Sequence, residues 1–399
     1  MERRILMDRQ YKKLMIISVF LWLATNFHHP VNPTYFTELN LPNHVFGTSM
    51  AFMVSAVFLT SPIWGSLGDN YGRKKTLVYS TLLYGMTQIA YGMSTQLWHI
   101  LLLRAIAGMF SGGFMVGFLA AVVDVSDESN RAERIAAFSA VMSVSMSIGF
   151  LIGGILGYLP VRYVFYIQGL VMMAVSLAIH LTLGETNSPT GKSTKPDFIW
   201  NILKDKDKSK AVFSPWILIF LGVTLFVFIA YSSNTNAFNY YLKEQLDFKP
   251  IVNGIWRAGT GIFGLIANLT INVWLARNYK GKNAFVIFLS FTLLGAIMIF
   301  ANTSIIPFMA WSLFYFTMHT VLFPMLQSFA VKSTEHGAGF MSGLFSASRS
   351  LGEMLGALIA GFAYGIGNRV PFLLSIIAIA IALVLGIMQL TIRTGKESN

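Results

Sequence analysis

Charge is absent from long stretches of this chain. Residues 14–37, 39–68, 76–103, 135–161, 163–184, 211–242, 283–331 and 370–392 each run without an Asp, Glu, Lys or Arg. A helix crossing the hydrocarbon core of a bilayer needs about 20 mostly apolar residues. Each stretch is therefore long enough for one crossing, and 283–331 for two. Charged residues make up 12% of the 399, about half the share in a soluble domain. The fold class that follows is an all-α membrane protein. A soluble enzyme and a nucleic-acid-binding protein are excluded, as is a disulfide-stapled secreted domain, since cysteine is absent.

Cut at its breakers, the pattern predicts twelve transmembrane helices, near 14–36, 46–67, 76–95, 99–122, 135–158, 162–184, 214–240, 251–276, 284–301, 305–330, 338–363 and 370–392. Pro42, Asn302-Thr303-Ser304 and Gly367-Asn368-Arg369 mark three of the cuts. Charges precede the first span without a small-residue cleavage site, so it reads as a retained helix. With these spans, 22 of the 29 Lys and Arg fall on one side and four on the other, while Arg104, Arg257 and Arg349 lie inside spans. The positive-inside rule then makes both termini cytoplasmic in a multi-pass protein of the cell membrane. The net charge of +12 is topological and implies no nucleic-acid partner.

The one long hydrophilic stretch, 185–213, divides the chain into a six-helix half at 1–184 and another at 214–399. It opens as flexible Ser/Thr/Pro/Gly chain. Phe198, Ile199, Trp200, Ile202 and Leu203 then alternate with Asp and Lys, as in a short helix lying on the membrane surface. The halves repeat. At a constant offset of 203, Ser143, Ser145, Ser147, Gly149 and Gly153 of the fifth span fall on Ser346, Ser348, Ser350, Gly352 and Gly356 of the eleventh. Parallel six-span repeats are a hallmark of secondary transporters.

After the second span, GSLGDNYGRKKT places Gly65, Leu67, Asp69, Gly72 and Arg73-Lys74-Lys75 in a fixed pattern. Glycines suit a tight turn with close helix approach, and a carboxylate is stabilised at a helix N-terminus. This pattern resembles the signature loop of the major facilitator superfamily. Arg104 and Gly108 resemble the Arg-x-x-x-Gly of the family's fourth helix, and the Asp124 to Arg131 spacing resembles the segment that partners the loop. The resemblance implies twelve helices in two pseudo-symmetric halves. It also implies a conformational latch of Gly65, Asp69, Gly72, Arg73, Asp124 and Arg131. The corresponding second-half loop, WLARNYKGKN, keeps Gly281 but has no Asp. In the fifth span Ser145, Gly149, Gly153 and Gly154 resemble the glycine motif of the family's drug–proton antiporters, with Phe150 in place of its proline.

Of the seventeen acids only Glu353 lies well inside a span, four residues after Arg349 and on the same helix face. Embedded charges are costly and mark ion or substrate paths, so Glu353, Arg349 and Arg104 are the proton-coupling candidates. The first and seventh helices line the cavity in the superfamily. There Asn26, His28, His29, Asn234, Asn236 and Asn239 supply polar groups, with Arg257 and His319 as further cavity candidates. Adjacent histidines on a helix point about 100° apart and no third ligand is evident, so no metal and no cofactor is expected.

The chain shows no HExxH, serine elbow or Walker loop, so an enzyme ranks low. The expectation is a monomeric, proton-coupled exporter of a small molecule, surrounded by lipid. Three embedded arginines against one glutamate favour a polar carboxylate-bearing or zwitterionic metabolite, such as a metallophore or siderophore. The alternative is a multidrug efflux pump for amphipathic drugs. An importer, a membrane-embedded enzyme and a transporter-like receptor rank lower.

Overall fold

The computed structural model describes residues 2–187, 214–274, 284–332 and 338–397. Among them are α1 (Glu2–Thr25), α2 (Asn32–Glu38), α3 (Val45–Tyr71), α4 (Arg73–Met93), α5 (Leu97–Asp124), α6 (Arg131–Leu156), α7 (Val161–Thr182), α8 (Pro215–Glu244), α9 (Pro250–Ala267), α10 (Ala284–Ala301), α11 (Ile305–Lys332), α12 (Ala338–Ile366) and α13 (Val370–Glu397). A single π-helical turn, Asn268–Asn272, continues α9. No strand occurs among the described residues. Apart from the seven-residue α2, these are twelve long helices, one for each expected crossing. The predicted surface helix near Phe198 and the second-half loop with Gly281 lie outside the described residues.

Eight of the long helices are apolar enough to cross a membrane on their own composition. The other four are α1, α4, α9 and α12. Polar side chains lower their hydropathy: Ser80, Gln88 and Tyr91 are buried on α4, Asn253 and Arg257 on α9, and Arg349 and Glu353 stand on α12. Such helices are held in a bilayer by the protein around them, since hydrocarbon cannot satisfy their polar groups.

The first span is interrupted. Pro30 and Pro33 lack an amide donor, and each disfavours the α conformation in the residue before it. The chain leaves α1 at Thr25 through a turn whose amides bond three residues back, His29 N to Asn26 O at 3.4 Å and Val31 N to His28 O at 3.2 Å. It resumes as α2, which Tyr35 ties to the end of α4 by donating to Tyr91 O at 2.8 Å and to Ser94 O.

Two compact units form. The first comprises Met1–Leu41, Phe52–Asp197 and Leu242–Ala258, the second Pro42–Ala51, Phe198–Tyr241 and Gly259–Asn399. Each thus takes a helix end from the other half of the sequence. In the first, α6 lies backbone to backbone on α1. A Cβ added at Gly149 would come within 2.3 Å of Leu23 O, and one at Gly153 within 2.2 Å of Phe27 O. In the second, α12 meets α8 in the same way, with Gly352 against Leu225 O and Gly356 against Ile229 O at 2.6 and 2.4 Å. The sequence repeat is therefore a repeated contact. Lipid tails are as apolar as leucine, so close packing of small residues is the main force that joins helices here.

The prediction is that Gly153→Leu and Gly356→Leu each lower the melting temperature of the detergent-purified protein, overpacking costing about 1–3 kcal/mol. Gly259→Ala, with nothing within 4 Å of its added Cβ, leaves it unchanged.

Candidate functional site

At the α3–α4 corner Gly72 sits at φ 104°, a conformation strained for any residue with a side chain. It also has no side chain with which to cap α4. That role is filled from the segment after α7. Glu185 Oε1 accepts from the amides of Arg73 at 2.6 Å and Lys74 at 3.3 Å. A carboxylate there satisfies orphan N–H groups and offsets the helix dipole. Thr186 Oγ1 donates to Asp124 Oδ2 at 3.3 Å, and Asn187 Nδ2 to Asp69 O at 3.5 Å. These residues strap the corner.

Arg73 is the centre of the cluster. Its Nη2 meets Asp69 Oδ1 at 2.5 Å, its Nε meets Asp124 Oδ2 at 3.1 Å, and its Nη1 donates to Gly65 O at 3.5 Å. The structure brings together Gly65, Asp69, Gly72, Arg73 and Asp124. Arg131 is exposed and makes no ion pair among the described residues. Its neighbour Arg134 bonds Asp8 and Val125 O instead. The helix N-terminus in this cluster is held by Glu185, and Asp69 serves the arginine. Sequence reading missed Glu185, although a glycine at the N-cap of α4 signals that a partner must come from elsewhere.

Within the membrane helices of the first unit, Asn26 turns inward on its own helix, donating to Trp22 O at 2.8 Å. His28 is buried with Nδ1 3.0 Å from Gln168 Nε2. His29 and the Arg257 guanidinium both face the Phe150 ring, at 5.3 and 5.8 Å. The residue that replaces the antiporter proline is thus an aromatic surface for a histidine ring and an arginine guanidinium, in a helix that runs unbroken from Arg131 to Leu156. Buried Arg104 donates to Asn32 Oδ1 at 2.7 Å and lies 4.2 Å over the Tyr91 ring.

The second unit holds the embedded acid. Arg349 Nε donates to Glu353 Oε1 at 2.8 Å, and Ser232 Oγ donates to the Glu353 carbonyl at 2.6 Å. The Arg349 guanidinium lies over Phe323 and Phe228 at 4.8 and 5.3 Å. His319 stacks on Tyr231 at 4.1 Å and meets Phe228 edge-on. Asn236 bonds back to Ser232 O at 2.8 Å. Asn234 is fully buried with neither amide atom partnered among the described residues, and Asn239 is half-buried. Arg349 and Glu353 thus form one pair, whereas Arg104 belongs to the other unit. The surrounding aromatic residues were not singled out by sequence, because phenylalanine is too frequent in lipid-facing helices to signal a site.

The model of the Major Facilitator Superfamily matches residues 14–352, and again 219–399. The chain belongs to the major facilitator superfamily. It is 23% identical to the Quinolone resistance protein NorA of Staphylococcus aureus (strain MSSA476) over 378 residues, 93% of this chain and 94% of that protein. It is likewise 23% identical to Multidrug resistance protein 1 of Bacillus subtilis (strain 168), over 94% of this chain and 95% of that one. The crystal structure of a bacterial homologue of the human lysosomal transporter Spinster superposes with a TM-score of 0.78 at 13% identity, over 96% of both chains. That of the nucleoside transporter NupG superposes at 0.76 and 14%, over 96% of this chain and 98% of the other. These structures share the fold. The protein is a multi-pass membrane transporter of small molecules, and resembles the drug–proton antiporter group of its superfamily.

Asp69 and Asp124 differ in exposure, 49% and 21% of the side chain, so the same change should have unequal effects. Asp69→Asn is expected to leave stability within about 1 kcal/mol of wild type, and Asp124→Asn to lower it by roughly 2–3 kcal/mol. Glu185→Ala should cost about 1 kcal/mol, as loss of a helix cap does. Thermal unfolding in detergent reads all three.

Proposed function

We propose that this protein is a proton-coupled multidrug efflux pump for amphipathic small molecules, working as a monomer in the cell membrane with both termini cytoplasmic. The observation that carries this reading is the end-to-end similarity to relatives named for quinolone and multidrug resistance. The geometry supports it. Export of a polar metabolite rested on a surplus of embedded arginine, and two of the three are already engaged, Arg349 by Glu353 and Arg104 by Asn32 and Tyr91. The multidrug reading therefore displaces the carboxylate-metabolite reading that the sequence favoured. Neither the relatives nor the site supports a membrane-embedded enzyme.

In this reading Glu353 is the proton-responsive carboxylate. When it is ionised, Arg349 neutralises it within its own helix. When it takes a proton, the pair loses its attraction and the guanidinium is left with only the rings of Phe228 and Phe323 that it already covers. Proton binding and substrate binding thereby act on one side-chain pair, which is what exchange of one for the other requires. The Arg73 cluster is the conformational latch. Asp69 keeps half of its side chain exposed, so it can exchange partners as the transporter changes state.

Three outcomes test the proposal in everted vesicles with an imposed pH gradient. Wild type accumulates an amphipathic fluorescent drug inside when the interior is acid. Glu353→Gln still binds the drug but no longer concentrates it, at least tenfold below wild type. Asp69→Asn is inserted and stable yet without flux. Concentrative uptake by Glu353→Gln at the wild-type level would remove the proton from Glu353.

A further inference from the structure

About three turns of α1 stand outside the membrane. The helix begins at Glu2, while its uncharged run begins at residue 14. Asp8 and Tyr11, one turn apart, face the start of α6: Asp8 pairs with Arg134, whose guanidinium lies 4.5 Å over the Tyr11 ring. Gln10 and Lys13, also one turn apart, face the end of α7. Lys13 Nζ donates to Thr182 O at 2.7 Å, and Gln10 Oε1 accepts from the amide of Gly184 at 3.1 Å. Thr182 is the last residue of α7, so the ammonium serves an orphan carbonyl at the negative end of the helix dipole. The Gln10 amide lies close on the chain at Gly184, where an added Cβ would come within 2.7 Å of Nε2. Leu183 between them is buried. The chain is therefore pinned at three successive residues just before it reaches the Arg73 corner.

Each of the next three residues holds a different element. Glu185 takes the amides that open α4, Thr186 the Asp124 carboxylate at the end of α5, and Asn187 the carbonyl of Asp69 in α3. None of these bonds is strong alone: Glu185 is exposed, and a carboxylate bonded at the surface gains little over water. They persist because the chain is already fixed beside the corner, so that little further loop entropy is lost in making them. We propose that Gln10 and Lys13 are positioning residues of the latch: they set the strap, and the strap sets Gly72 and Arg73. The inference rests on the reading of the Arg73 cluster as the latch. The corner depends on the strap because Gly72, at φ 104°, offers no side chain to cap α4. A Cβ there would come within 2.3 Å of Glu185 Oε2, so the carboxylate fills the space a side chain at 72 would need. Since α1 is unbroken from Glu2 to Thr25, a shift at its membrane end, beside Asn26 and His28, moves Gln10 and Lys13 with it. Movement there is thereby passed to the Arg73 corner.

The test compares Gln10→Leu, Lys13→Met and the double variant with a conservative pair, Gln10→Glu and Lys13→Arg, which keeps the acceptor and the donor. Each change lies outside the membrane and removes or keeps one hydrogen bond, and the single variants bracket the double one. Hydrogen exchange of the full chain in detergent, read by mass spectrometry, follows the amides of Arg73 and Lys74. The double variant exchanges them about tenfold faster than wild type, while amides in the middle of α4 do not change. Each single variant falls between, and the conservative pair exchanges at the wild-type rate. This arm needs no substrate. In everted vesicles the double variant takes up the fluorescent drug with kcat lowered about tenfold and KM unchanged, because no contact to substrate is lost. The conservative pair restores kcat. Wild-type exchange at Arg73 and Lys74 in the double variant, or exchange in the conservative pair as fast as in the double variant, overturns the proposal. Faster exchange with undiminished kcat leaves the anchor standing and overturns the latch reading on which the inference rests.

Discussion

Backbone contact between helices is the interaction on which this structure depends. In water, two apolar helices are driven together by the solvent they expel. In a bilayer that drive is missing, and only closer approach can improve on lipid. Gly149 and Gly153 let α6 rest on the carbonyls of α1, and Gly352 and Gly356 let α12 rest on α8. The two crossings fix the helices that carry His28 and Asn26 in one unit, and Ser232 and Glu353 in the other. A side chain at any of the four positions would displace not a rotamer but a helix.

On that frame, buried charge is handled in three ways. Arg73 gathers two carboxylates, while a third caps the helix it begins. Arg104 has a neutral amide oxygen and a ring face, which lower the cost of burying its charge without cancelling it. Arg349 faces an acid one turn on and two rings. The first arrangement is rigid and redundant, as suits a corner that must be held. The last is sparing, one acid and two ring faces, as suits a pair whose acid is to change its charge.

The number and order of the helices were legible in the sequence because the bilayer imposes a length on every uncharged run. So was the repeat, since glycines 203 positions apart perform the same packing task. Asp69, Arg73 and Asp124 were legible as a group through the family's loop. What the sequence did not disclose depended on distance along the chain or on direction in space. Glu185 caps a helix more than a hundred residues upstream of it, and only the bare glycine at that helix's N-cap shows that a partner is needed, not which residue supplies it. Arg134, rather than Arg131, forms the ion pair, because one turn of helix decides which side chain faces Asp8. The break at Asn26–Val31 was visible as prolines but read as polar lining, since a span and an interrupted span have the same hydropathy.

The exchange of helix ends between the units bears on how the protein is made. The first compact unit includes Leu242–Ala258, which the ribosome reaches only after the hydrophilic stretch at 185–213 and the whole of α8 up to Tyr241. Gly154 of α6 has Gly254 as its neighbour, and Gly157 has Pro250. The first six crossings must therefore wait in the membrane with one glycine surface uncovered until the eighth arrives. Insertion is sequential here, but completion is shared, and neither unit is finished from its own half of the message.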